Sequence, residues 1–199
     1  MKLNKQNMIK IGNNLSEWSS YSCQPATKGE LRDIIEDRIS KEGPDCDLND
    51  IDVSLITDMS YLFFKSKFNG NISKWNVSNA TDMSCMFAKS DFNGDISKWD
   101  VSNVEGMINM FNESIFNGDI SRWKVSNVKS MLGIFAHSKF NGDISKWNMK
   151  NVSDAYAMFL MSEFNQDISN WNIDKTCDIR QMFDYCPIKN EYKPKSLEV

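Results

Sequence analysis

Apolar positions recur along this chain at a fixed interval of 24 residues, marked by Trp75, Trp99, Trp123, Trp147 and Trp171. The copy that starts at Phe92 shows the pattern in full. Ile96, Trp99 and Val101 have the L-x-x-L-x-L spacing, and Trp99-x-Val101 alternates as a short strand does. Val104, Met107, Met110 and Phe111 then fall at helical spacing, which predicts a short helix with Ser102 or Asn103 as its N-cap. The polar stretch Phe92-Asn93-Gly94-Asp95 returns the chain, with Gly94 expected at positive φ. Copies starting at Phe68, Phe116, Phe140 and Phe164 follow the same scheme. Such self-similarity predicts a solenoid in which each unit buries its apolar face against the next.

The repeat extends beyond the tryptophans. Asp47-Leu48-Asn49-Asp50-Ile51-Asp52-Val53-Ser54 parallels the segment from Asn71 to Ser78, with Ile51 in place of tryptophan. About six turns are therefore expected over residues 47–187. Their parallel strands, about 4.8 Å apart, would make a face on the order of 25–30 Å long. Divergence marks the last turn, where Gln166 replaces glycine, Asp174-Lys175-Thr176 replaces Ser-Asn-Val, and Pro187 ends the pattern. Ahead of the repeat, Thr27 and Glu30 make a capping box, Leu31, Ile34, Ile35 and Ile39 recur at helical spacing, and Gly43-Pro44 stops the run. A capping helix over about 27–42 is predicted. The expected organisation is an N-terminal segment and cap over 1–46, the repeat over 47–187 and a polar tail over 188–199. Residues 1–24 are read as loosely ordered apart from an anchor at Trp18.

Composition narrows the chemistry. A 199-residue chain with 41% hydrophobic residues suits one continuous core. Its formal charge of -4 argues against nucleic acid as a partner. No stretch approaches the length of a membrane span, and the basic opening MKLNKQNMIKIGNNLSEW lacks the apolar run of a secretory signal. Cys23, Cys46, Cys85, Cys177 and Cys186 are odd in number and out of phase with the repeat, and read as small buried residues. A Cys23–Cys46 bridge in the cap is the open alternative. Pairs such as Met83/Met86 and Met107/Met110 are expected to fill core and not to bind a soft metal. No cofactor is expected.

The polar columns read as structure. Asn69, Asn93, Asn117, Asn141 and Asn165 carry donor and acceptor together and are expected to satisfy turn backbone and one another. Asp95, Asp119, Asp143 and Asp167 are assigned to Asx turns in preference to Ca²⁺. The serines at 73, 97, 121, 145 and 169 have no accompanying base, and the single histidine, His137, has no carboxylate partner in its own turn. A catalytic constellation is not expected, so the chain is read as non-enzymatic.

The string F-N-G-D-I-S-x-W-x-V-S-N-V-x-x-M-x-x-M-F resembles the repeat of the BspA-like leucine-rich-repeat proteins, the DUF285 family of mycoplasmas and other bacteria. The lead-in from Gly43 to Asp52 resembles theirs too. The resemblance implies a leucine-rich-repeat-like α/β solenoid, a right-handed superhelix with a short parallel strand and a short helix per turn. It also implies a surface or adhesion protein, secreted or held at the cell surface, and it supplies no catalytic residue.

A partner is expected on the strand face. Lys74, Lys98, Arg122 and Lys146 form one outward column, and Asn76, Asp100, Lys124 and Asn148 form its neighbour. The second column varies where the buried columns hardly do. These eight residues are the candidate binding strip of a non-catalytic protein-binding or adhesion module, for a protein or glycan partner of acidic or polar character. The alternative is a structural or self-assembling scaffold without a discrete ligand, stacking through the C-terminal edge; a monomer is otherwise expected.

Overall fold

The computed structural model describes residues 21–197; the expectations for residues 1–20, including an anchor at Trp18, lie outside the described residues. The expected cap is present as α1, Lys28–Glu42. Thr27 accepts from the Glu30 N–H, Glu30 Oε2 accepts from the Ala26 N–H at 2.8 Å, and Gly43 closes the helix at φ 91°. Leu31 and Ile35 face inward and cover the first coil. Lys28 and Arg38 tie the helix down, to Asp58 at 2.6 Å and to Asp50 at 3.1 Å.

Beyond α1 the structure corrects the expected architecture. Among the described residues there is no β-strand, and the only other helices are two three-residue 3-10 turns, Asn190–Tyr192 and Lys195–Leu197. The α/β solenoid of strand-plus-helix turns is not what this sequence builds, and the leucine-rich-repeat architecture is set aside with it. Successive 24-residue coils instead touch through isolated parallel bridges, Asp58 to Asp82, Gly106, Ser130, Asp154 and Asp178 in turn. These bridges lie at the start of the segment expected to be helical, away from Trp-x-Val.

The segment from Met83 to Ser90 shows what replaces the helix. Met86, Ala88 and Ser90 N–H groups donate to the carbonyls of Met83, Cys85 and Phe87, three residues back. The intervening N–H groups of Met83, Cys85, Phe87 and Lys89 donate to Gly106, Ile108, Met110 and Asn112 in the next coil, at 2.8–2.9 Å. Cys85 and Lys89 sit at φ 57° and 58°, the third position of a type II turn. Consecutive turns of this kind, with every second N–H sent outward along the stack, satisfy the backbone without helix or ladder. The same two positions are left-handed in each coil, from Tyr61 and Lys65 to Gln181 and Tyr185.

The apolar columns stack in register. Phe87, Phe111 and Phe135 lie with ring centroids 5.7–5.8 Å apart, Phe92, Phe116 and Phe140 with 6.2–6.3 Å, and Phe87 meets Phe92 within its coil at 4.4 Å. The Trp75 and Trp99 rings stack 6.3 Å apart and nearly parallel. Met83, Met107 and Met131 are fully enclosed among them. Each indole N–H of the five repeat tryptophans donates to a carbonyl of the preceding coil, Trp99 to Ile72 at 3.2 Å and Trp123 to Ile96 at 3.2 Å, so these side chains enter the core with no unpaired donor. All five cysteines are free, so no Cys23–Cys46 bridge is formed.

At the far end, the segment expected as a polar tail packs back as far as it is described. Ile188 is buried, Tyr192 and Leu197 rest on the core, the Tyr192 carbonyl accepts from the Ile168 N–H, and the Lys195 N–H donates to Ser169.

Candidate functional site

The face that carries the candidate residues is built by corner turns five residues apart. Asp95 Oδ1 accepts from the Ser97 N–H at 2.9 Å, and Asp100 Oδ1 from the Ser102 N–H at 3.1 Å. Between these corners Ile96, Trp99 and Val101 point inward, leaving Lys98 and Asp100 exposed on either side of the indole. A strand has no room between two Asx turns so close together, which is why the Trp-x-Val alternation yields alternating burial without a ladder. The asparagine column behaves as expected: the N–H groups of Asn93, Asn117, Asn141 and Asn165 each donate to the Oδ1 of the preceding asparagine at 2.8 Å.

All eight candidates, Lys74, Asn76, Lys98, Asp100, Arg122, Lys124, Lys146 and Asn148, are exposed. They do not share one depression. Arg122, Lys124, Lys146 and Asn148 line an open groove of about 350 Å³ together with Ser121 and Ser126, floored by Trp123 and Val125. Lys74 lines a separate depression of about 370 Å³ beside α1, with Arg38, Asp47, Asn49 and Asp50. Arg38 and Asn49 were not among the expected residues; Arg38 reaches this surface through the docking of α1, which no spacing within the repeat announces, and Asn49 belongs to the first coil, where its Oδ1 accepts from the Lys74 N–H.

Charge pairing sets the candidate face apart from one part of the remaining coil surface. Away from the candidate face, three lysines pair with acids one coil on: Lys67 with Asp91, Lys89 with Glu113, both at 2.9 Å, and Lys139 with Glu163, while Lys65, Lys129, Lys150 and Lys175 have no ion pair among the described residues. Among the described residues, Lys74, Lys98, Arg122, Lys124 and Lys146 have no such ion pair. Lys98, Arg122 and Lys146 each neighbour the carboxylate of a corner. Asp95, Asp119 and Asp143 are held below the usual carboxyl range first by the N–H two residues on, then by its serine hydroxyl, with a smaller contribution from Lys98, Arg122 and Lys146 respectively. The face is thus a row of unpaired cations beside a row of acids committed to backbone.

One corner differs. Asp52, Asn76, Asp100 and Asn148 each accept from the N–H two residues ahead. Lys124 occupies the same position and has no acceptor to offer. Its column was expected to vary, and the variation is the signal that marks this corner. His137, at φ 56°, is exposed and makes no side-chain hydrogen bond among the described residues.

Comparison with known proteins bears on family alone. No curated protein and no solved structure matches the chain. The sequence model of the family described as "Mycoplasma protein of unknown function, DUF285" matches over residues 37–137 and 112–194, taking in the end of α1 and the stacked coils. The chain belongs to the DUF285 family.

Proposed function

We propose that this protein is a non-catalytic protein-binding or adhesion module that engages an acidic or polar partner through the face bearing Lys74, Lys98, Arg122 and Lys146. The observation that carries the reading is the in-register row of unpaired cations. Lys67, Lys89 and Lys139 pair across the stack, whereas this row of cations, one per coil and in register, has no ion pair among the described residues and runs beside an open groove. Unpaired surface charge contributes little to folding and remains free to steer an oppositely charged partner. Kinship with BspA-like surface proteins, which rests on the repeat string, belongs to the same proposal. So does a glycan as the partner in place of a protein. The reading is non-catalytic because the recurring serines and aspartates are engaged in corner turns.

The scaffold alternative, growth by end-to-end stacking, has less support. Residues 188–197 lie against the last coil at Ile168, Ser169 and Ile173 and cover that part of the edge through which a further copy would join.

The test is retention of secreted and matrix proteins on immobilised protein, compared with a Lys98→Glu/Arg122→Glu/Lys146→Glu variant. A partner held by the wild type and lost by the variant at equal melting temperature supports the reading. Equal retention by both overturns it.

A further inference from the structure

The corner at Lys124 has a consequence for recognition. In the neighbouring coils the corresponding corner holds a carboxylate or carboxamide oxygen against the backbone N–H two residues on, Asp100 to Ser102 at 3.1 Å and Asn148 to Lys150 at 3.2 Å. Lys124 supplies no such oxygen, and the Ser126 N–H has no acceptor among the described residues. The other polar groups of Ser126 are engaged: its carbonyl accepts from Asn151 Nδ2 at 2.7 Å and its hydroxyl from Asn148 Nδ2 at 3.3 Å. The N–H is therefore a single open donor, at a half-buried residue that lines the groove. Arg122, Lys124 and Lys146 stand around it. In the last coil, two steps on, the corner has shifted, to Asp174 and Thr176 at 2.8 Å, so among the described residues the regular coils contain this defect only at Lys124.

We propose that the groove between Arg122 and Asn148 is a carboxylate-binding site, in which an aspartate of an acidic polypeptide segment supplies in trans the oxygen that Asp100 and Asn148 supply in cis, accepting from the Ser126 N–H while Arg122, Lys124 and Lys146 balance its charge. This rests on the binding face proposed above and names the chemical group it reads. A peptide carboxylate fits because the fold already builds the same acceptor geometry in the flanking coils. A backbone N–H together with three cations forms a charge-assisted cradle for one oxyanion. Asp100 is the competing carboxylate. Its nearest donors are the Ser102 hydroxyl and N–H, with Lys124 a weaker influence, so it is committed to its own corner. An incoming carboxylate meets Lys124 without an ion pair to break.

The site predicts an unusual variant. Lys124→Asn restores the Asx acceptor, closes the Ser126 N–H within the chain and removes one cation. Lys124→Gln removes the same charge with a side chain one methylene too long for an Asx turn. Binding of a fluorescent oligo-aspartate peptide is measured by anisotropy for the wild type, both single variants and the Lys98→Glu/Arg122→Glu/Lys146→Glu variant, each with its melting temperature. Expected is an affinity about tenfold weaker for Lys124→Asn, with a melting temperature equal to or above wild type, and a clearly smaller loss for Lys124→Gln. In the wild type the Ser126 amide resonance moves on adding peptide. If Lys124→Asn and Lys124→Gln weaken binding equally and the Ser126 amide does not move, the open corner is overturned. If the triple variant loses the peptide while Lys124→Asn binds as wild type, the face reading stands and the carboxylate site falls. If the wild type does not bind the peptide, the carboxylate site falls as well.

Discussion

The Asn117 N–H donates to Asn93 Oδ1 at 2.8 Å, across 24 residues of sequence and one step of the stack. Backbone and side chain thus interlock in a chain of identical bonds running from Asn69 to Lys189. Truncating one member leaves the next N–H without its partner. Asn117→Ala is expected to lower stability by about 1 kcal/mol, the net value of a partly exposed hydrogen bond, whereas Asn117→Asp keeps the acceptor and loses less. Chemical denaturation of the two variants checks the order.

The indole bonds bear more. Trp123→Phe removes both the donor to the Ile96 carbonyl and part of a fully packed side chain. A loss of about 2 kcal/mol is expected, combining an unmade buried hydrogen bond with the space left behind. Denaturant midpoints give the value, and a loss under a few tenths would show that the column does not hold the coils together.

Left-handed backbone offers a sharper test of the fold. Ala157 lies at φ 53° and is nearly buried. In a helix, Ala157→Gly would cost about 1 kcal/mol; at positive φ it relieves about that much strain. The variant is expected to melt at or above the wild-type temperature. The reverse exchange, Gly133→Ala, places a Cβ 2.2 Å from Asn109 Oδ1 at φ 57° and is expected to destabilise. Thermal melts of the pair distinguish turns from helix directly.

The corner carboxylates set an acid limit. Asp95, Asp119, Asp143 and Asp167 are lowered mainly by the N–H groups they accept from, and Asp178 is brought to about 2 mainly by its hydrogen bonds from Arg180. A carboxyl more acidic in the folded chain than in the unfolded one contributes stability above its unfolded value, near pH 4. That contribution is lost as pH falls through the folded value. The melting temperature is therefore expected to fall between about pH 4 and pH 2. Asparagine keeps the corner bond without titrating, as Asn71 does toward Ser73. Replacing Asp95, Asp119, Asp143 and Asp167 together with asparagine should flatten that slope.

Much of this arrangement is legible in the residues. The 24-residue period places the columns, the Thr27–Glu30 box and Gly43 place α1, and the asparagines and aspartates fall where turn chemistry puts them. Two readings mislead: Gly94, expected at positive φ, is not left-handed and instead leaves room for the Phe92 ring, and the spacing of Val104, Met107, Met110 and Phe111 suggests a helix. Apolar residues three apart mark one face of a helix, yet they equally mark successive three-bond turns on a flat coil. The left-handed positions that decide between the two are filled by Tyr61, Cys85, Asn109, Ala157 and Gln181, and glycine appears there only at Gly133. Inter-coil bonds hold those residues at positive φ against local preference, and bonds between distant segments leave no mark in a local pattern. The open corner is visible in sequence as a lysine in a column of Asx residues, but its meaning depends on the Ser126 N–H.

The central claim is that one face, and not net charge, makes this chain a binding module. Oligo-aspartate affinity and melting temperature, measured side by side on two triple variants of equal charge change, test it most directly. One carries Lys98→Glu, Arg122→Glu and Lys146→Glu on the unpaired row; the other carries Lys67→Glu, Lys89→Glu and Lys139→Glu on the paired surface. The first is expected to lose at least about tenfold in affinity with its melting temperature unchanged, and the second to keep its affinity while melting slightly lower. Equal loss of affinity in both, or none in the first, would contradict the account.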